Sequence, residues 1–210
     1  NDGLVSNLSL ILGVAGASSN SSFILLSGVA GLLAGAFSMA AGEFVSVRSQ
    51  REMYEYQIGL ERKELEQYPE EEAEELALIY AAKGMPRDQA LELARNIVAD
   101  PGKALDTLAR EELGLNPEDL GSPWGAAWSS FGSFAVGALI PLAPFLLWRG
   151  ATALTGSIVI TALALFAVGA VISLFTGRNA AQDGLRMLGI GAAAGGVTYA
   201  VGSLLGVTLG

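Results

Sequence analysis

The sequence predicts an all-α membrane protein: five transmembrane helices, with a small helical cytosolic domain inserted between helices 2 and 3. Three observations carry this reading. The 210 residues are 51% hydrophobic, with a mean hydropathy of +0.46. Five stretches are apolar over lengths that approach or meet the roughly 20 residues a bilayer needs. The charge is also segregated. Ser49 to Leu120 hold 18 of the 21 acids and 8 of the 12 bases, a local net charge of −10, and everything else sums to +1. The expected domains are therefore 1–48 (transmembrane helices 1 and 2), 49–120 (a cytosolic helical metal-binding domain) and 121–210 (transmembrane helices 3 to 5).

The first span, Val5 to Ala17, is short, and the chain opens on Asn1-Asp2 without an initiator Met, so this helix is expected to begin upstream. Ser22 to Val47 is a clear second span. Val45 to Glu52 contains no helix breaker, so span two should run on into the acidic block as one long helix, with Gly59 as a weak point. Pro69 breaks it and suits the first turn of a new helix, where its missing N–H costs nothing. Glu70, Glu71 and Glu72 then meet the positive end of that helix's dipole. This helix should end near Lys83-Gly84. Pro86 to Val98 should form a third, with Ala90, Leu91, Ala94 and Ile97 at helical spacing. Asp100-Pro101-Gly102 reads as a turn, followed by a helix over Lys103 to Leu113 that Gly114 closes. Trp124 to Trp148, Ala151 to Phe175 and Leu185 to Leu209 are the remaining spans. Gly31, Gly35, Met39 and Glu43 follow one another at intervals of four, and Gly191–Gly195 and Gly202–Gly206 repeat that spacing. Small residues four apart let helices approach closely in lipid.

Arg48 and Arg51 follow span two, and Arg178 and Arg186 flank the loop between spans four and five. The excess of basic residues on the cytoplasmic side then puts the N-terminus, the acidic block and that loop in the cytosol, and the C-terminus on the far side.

The chain has no His and no Cys. That excludes disulfides and thiolate chemistry, and leaves carboxylates, carbonyls, amides, hydroxyls and four methionines as metal ligands. Such ligands suit Fe²⁺, Mn²⁺, Mg²⁺ and Ca²⁺ better than structural zinc or copper. Asp2 opens span one and Glu43 lies inside span two, and an ionisable group at membrane depth is a functional candidate by default. Met39 stands one turn before Glu43 and adds a soft ligand. Taken singly, Asp2 is explained as an N-cap, Met39 as packing and Glu43 as snorkelling to the interface; together they read as a transport pathway. In the acidic block, Glu61 and Glu64 are three apart, and Glu72 and Glu75 repeat the pair beyond Pro69. Glu112, on the last helix, is placed to close the cluster. A solvated acidic face explains most glutamate runs. Here the spacing is orderly, and Arg62 and Lys63 are the only bases from Glu52 to Ala82. Unneutralised carboxylates repel, so bound cations are the readiest means of holding them together.

Asn1-Asp2-Gly3-Leu4-Val5-Ser6, Gly13-Val14-Ala15-Gly16-Ala17 and Ser38-Met39-Ala40-Ala41-Gly42-Glu43-Phe44-Val45-Ser46-Val47 resemble the first two helices of the vacuolar iron transporter family. Glu112-Leu113-Gly114-Leu115 resembles the end of that family's cytosolic metal-binding domain, and Ile140-Pro141-Leu142-Ala143-Pro144-Phe145 its third helix. The resemblance implies five transmembrane helices, a homodimer with the pore at the subunit interface, and proton-coupled export of Fe²⁺ (often also Mn²⁺) from the cytosol. It implies that Asp2 and Met39 are pore ligands with Glu43 one turn on, and that Glu61, Glu64, Glu72, Glu75 and Glu112 are the metal ligands of the cytosolic domain. Where eukaryotic members carry a Met one turn before the last of these, Leu108 stands here, which removes a soft ligand. The partners implied are divalent metal ions, protons and the membrane, with no nucleic acid and no prosthetic group; Fe²⁺ or Mn²⁺ is cargo. A membrane-anchored metal-binding or sensing module without transport is the rival reading. An intramembrane hydrolase is a weaker one, because no Ser-centred or phosphate-cradling motif supports it.

Overall fold

A computed structural model describes residues 1–209. Among them every regular element is a helix: α1 (Asp2–Ala17), α2 (Ser21–Gln67), α3 (Pro69–Ala82), α4 (Arg87–Val98), α5 (Pro101–Glu111), α6 (Pro123–Leu147), α7 (Gly150–Thr176) and α8 (Ala180–Leu209). Four of these, α2, α6, α7 and α8, are long and apolar enough to cross a bilayer. The 16 residues of α1 are apolar but fall short of that length. The chain divides into two compact units, Asn1–Glu43 with Gly125 onward, and Phe44–Trp124.

The boundaries follow from local chemistry. Ser18 turns to extended backbone and ends α1. The Asn20 side-chain oxygen then accepts the N–H groups of Ser22 and Phe23 at 3.0 and 3.2 Å, capping α2. Gly59 does not interrupt α2, whose polar half carries the i,i+4 ion pairs Arg48–Glu52 and Arg51–Glu55; each contributes a few tenths of a kcal/mol, about 0.3–0.5. Pro69 ends α2 and opens α3, as expected. The starts of α5 and α8 come earlier than the sequence reading, each with a side-chain cap ahead of it. The Asp100-Pro101-Gly102 turn is the beginning of α5: Pro101 takes the first helical position, and the Asp100 carboxylate accepts from Gly102 and Lys103 N–H at 3.2 and 3.5 Å. Likewise α8 starts at Ala180 rather than Leu185, because the Asn179 side chain accepts from Ala181 and Gln182 at 2.9 and 3.3 Å. A capped polar turn extends each helix beyond its apolar run.

In the first unit α1 packs along α8, and α8 along α7. Glycines make the first contact close: a Cβ on Gly202 would collide with the Gly13 carbonyl, and one on Gly16 with the Tyr199 carbonyl. Pro141 and Pro144 stand inside α6 and cannot donate to the carbonyls one turn back. Polar side chains meet this stretch of backbone. Ser157 Oγ donates to the Pro141 carbonyl at 2.7 Å, and Asn7 Nδ2 to the Ala138 carbonyl at 2.8 Å. Leu147, Leu174 and Phe175 lie 73%, 77% and 87% exposed, a surface that suits lipid rather than water.

In the second unit, Leu65 of α2, Ala73, Leu76 and Ala77 of α3, Ala90 and Ala94 of α4, and Ala104 and Leu108 of α5 form one buried core. Small residues dominate it, so the helices approach closely. That packing frames the acidic cluster.

Candidate metal centre

The amphipathic end of α2 turns Ile58, Glu61 and Leu65 inward; these are spaced three and four apart and all buried. Pro69 lets α3 fold back so that Glu72 and Leu76 face the same interior. After α5, Glu112 occupies the residue just past the helix end, rather than lying on the helix as the sequence reading had it. Gly114 at φ +66° then lets the Leu115 N–H reach back to the Ala109 carbonyl at 2.8 Å, which sets the direction in which the chain leaves.

These three turns bring Glu61, Glu72 and Glu112 together, with one carboxylate oxygen from each within 4.8 Å of the others. Two oxygens on opposite sides of a small divalent ion, with bonds of about 2.1 Å, stand about 4.2 Å apart. The triad is thus close to the spacing that such an ion needs. Glu61 and Glu72 are 3% and 6% exposed. Glu61 Oε1 and Glu72 Oε2 are buried and accept no hydrogen bond from an N–H or hydroxyl group of the described residues. Among the described residues no ion pair reaches the triad, since Arg95, Lys83 and Arg110 pair with Glu70, Glu111 and Asp106 instead.

The electrostatics follow from this geometry. Burial first, then the charge of Glu112, push the Glu61 carboxyl up to about 8, and a side-chain hydrogen bond to Glu72 favours its protonated form. Glu72 is raised by burial and by the charges of Glu75, Glu112 and Glu64, against the opposing hydrogen bond from Glu61. Glu112 is raised by burial and by Glu75 and Glu64. Glu64 and Glu75, predicted as equal members of the cluster, are exposed. They add negative potential at its rim and are not part of the triad. Leu108, the position of the missing methionine, is fully buried in the core beneath.

The residues read as a transport pathway are distributed differently. Asp2 and Met39 line one cavity of about 300 Å³, together with Ser6, Asn7, Ser38, Gly31, Gly35 and Phe134. Ser6 Oγ donates to Asp2 Oδ1 at 2.5 Å. Glu43 is exposed and does not line this cavity. The sequence reading missed Ser6, Asn7 and Ser38. Their signal was present: Ser6 stands one helical turn from Asp2, Ser38 adjoins Met39, and Asn7 is an amide in an apolar helix. Asp183 was also missed. It is buried at the α7–α8 turn with its carboxylate 3.5 Å from Arg178.

The VIT family model matches residues 1–203. The chain is 38% identical over 194 residues to the vacuolar iron transporter of Acanthamoeba castellanii, covering 90% of this chain and 72% of that protein. It is 31% identical over 205 residues to vacuolar iron transporter 1 of Arabidopsis thaliana, covering 97% and 82%, and 32% identical over 219 residues to the vacuolar iron transporter of Toxoplasma gondii, covering 100% and 72%. A match of this extent, over a chain that pairs spanning helices with a carboxylate triad, shows that the protein belongs to the VIT family.

Proposed function

We propose that this protein exports Fe²⁺, and also Mn²⁺, from the cytosol in exchange for protons, and that Glu61, Glu72 and Glu112, with Glu64 and Glu75 at their rim, capture the ion first. Family membership makes the chain a transporter rather than an enzyme. The observation that carries the reading is the triad itself: three convergent carboxylates, two of them buried, with no Lys or Arg paired to them among the described residues. Negative charge concentrated there raises the local concentration of divalent cations. A carboxylate must lose its proton to bind metal, so the two compete for one site. With Glu61 pushed up to about 8, capture near neutral pH releases a proton.

The ion then passes to Asp2, Met39 and Glu43 in a homodimer whose pore lies at the subunit interface. That assembly gives the exposed Glu43 a partner to face. Protons arriving from the far side discharge the ion and return on the empty carrier. Five transmembrane helices support this path, with α1 as the fifth. It is short, about 24 Å at 1.5 Å per residue, but apolar and packed along the spanning helix α8. The domains are residues 1–48, 49–120 and 121–210. The middle one is cytosolic and the C-terminus lies on the opposite side, as the placement of Arg48, Arg51, Arg178 and Arg186 favours.

The test is Fe²⁺ and Mn²⁺ uptake into proteoliposomes under an imposed pH gradient. Uptake that rises with an inside-acid gradient and alkalinises the lumen in proportion is the expected result. Metal that binds the protein but does not cross, with or without a gradient, sinks the transport reading and leaves a membrane-anchored binding module. Uptake indifferent to the gradient leaves a channel.

A further inference from the structure

Asn7 lies on α1, five residues beyond Asp2, with leucines on either side of it at positions 4, 8 and 10. Its side chain is 2% exposed. A buried amide costs free energy unless both of its ends are paired, and only one end is. Nδ2 donates to the Ala138 carbonyl at 2.8 Å. That bond fixes the sense of the amide, because its own carbonyl oxygen could not meet another carbonyl there. Asn7 Oδ1 is left buried without a hydrogen-bond partner. Asn7 belongs to the wall of the cavity that Asp2, Ser6, Ser38 and Met39 share. Beside Oδ1 stands Gly31, another residue of that wall, where an added Cβ would sit 2.9 Å from Oδ1 and would also crowd Leu10.

We propose that Asn7 Oδ1 is a neutral oxygen ligand for the ion in transit, about 7.5 Å further along α1 than Asp2, and that it favours hard divalent ions over soft ones. The inference rests on the transport reading above. Amide oxygens suit hard cations, whereas the Met39 thioether favours soft ones. A second carboxylate at this depth would cost several kcal/mol when empty and would hold the ion against release. An amide attracts without a net charge, so it can hold an ion and pass it onward.

The test compares Mn²⁺ and Cd²⁺ uptake by the full chain in proteoliposomes, for the wild type, Asn7→Ala and Asn7→Asp. Asn7→Ala should raise the half-saturating Mn²⁺ concentration about 10-fold or more, the order seen when a metal site loses a supporting group. Cd²⁺, held by Met39, should shift less than about threefold. Asn7→Asp, which keeps an oxygen, should keep the preference for Mn²⁺. Equal shifts for both ions, or a loss of thermal stability with the Mn²⁺ to Cd²⁺ ratio unchanged, would mean that a water satisfies Oδ1 and that Asn7 only packs α1 against α6, which overturns the proposal. Should Asn7→Ala fail to fold, Gly31→Ala reads the same contact. Its methyl would crowd Oδ1 and the end of Leu10, and an unchanged Mn²⁺ to Cd²⁺ ratio there overturns the proposal equally. A wild type that moves neither ion removes the transport reading and this one with it. A wild type that moves both while the ratio ignores Asn7 and Gly31 removes only this one.

Discussion

The two polar centres of the molecule hold similar ligands in opposite proportions. The triad of the second unit packs three carboxylates together with the negative rim of Glu64 and Glu75 and, among the described residues, no paired base. The cavity of the first unit has a single carboxylate, Asp2, diluted by a thioether, an amide and two hydroxyls. A dense cluster of charge binds tightly and selects for cations; a dilute one binds just well enough to admit an ion and let it go. Transport across lipid requires the second kind, because a site that binds too well stops the flow. Capture in water tolerates the first.

The comparison breaks most clearly at Asp2. With no other carboxylate in the cavity, Asp2→Ala should abolish gradient-driven Mn²⁺ uptake in proteoliposomes while metal binding to the second unit persists. Residual uptake above a tenth of wild type would show that the cavity is not the route. Next in size is the double change Glu61→Gln and Glu72→Gln. It should raise the half-saturating metal concentration by about 10- to 100-fold with little loss of maximal rate, read from the concentration dependence of flux. A collapse of the maximal rate instead would make the triad part of the path rather than a feeder.

Leu108→Ala empties a fully buried position in the core that frames the triad. It should cost about 2–5 kcal/mol, as large-to-small core changes do, measured by chemical denaturation, and metal capture should weaken with it.

A smaller effect sharpens the comparison through pH. The folded-state value for Glu61, about 8, lies above the ordinary carboxylate value of 4.5. The unfolded chain therefore releases this proton first as pH rises. The stabilising effect of the protonated pair is complete below about pH 4.5 and is lost as pH climbs towards 8. Without metal, the thermal midpoint should fall across that window, and Glu61→Gln should flatten the fall. Saturating Mn²⁺ should reverse it at the alkaline end. A midpoint that rises from pH 5 to 8 without metal would contradict the burial of unpaired carboxylates. The smallest change is Asp100→Ala, which removes the cap of α5 and should cost about 1 kcal/mol without altering metal affinity.

Most helices were legible because their causes are local. The apolar run to Val47 and the unbroken register beyond it predicted the length of α2, and Pro69 predicted where it stops. The misread starts of α5 and α8 have one cause: a side-chain cap at Asp100 or Asn179 supports polar residues ahead of the periodic segment, and hydropathy does not register a cap. At the triad, the repeated spacing of Glu61–Glu64 and Glu72–Glu75 drew attention to the region but treated all four alike. Only one member of each pair turns inward, because the Leu65 and Leu76 faces that enter the core carry Glu61 and Glu72 with them and leave Glu64 and Glu75 outside.

The sequence by itself determined the class of the protein and the ligand types it can offer an ion. Hydropathy, helix breakers and the absence of His and Cys are properties of composition and short spacing, and they survive any arrangement of the helices. The tertiary structure alone decided that residues from α2, α3 and the end of α5 come together, that Asp2 and Met39 line one cavity, and that Asn7 in the wall of that cavity buries an unpaired oxygen. Each of these depends on close packing between segments distant in the chain, through alanine contacts in one unit and glycine contacts in the other. The distances involved are set by the approach of backbones, and no pattern along one strand of sequence encodes them.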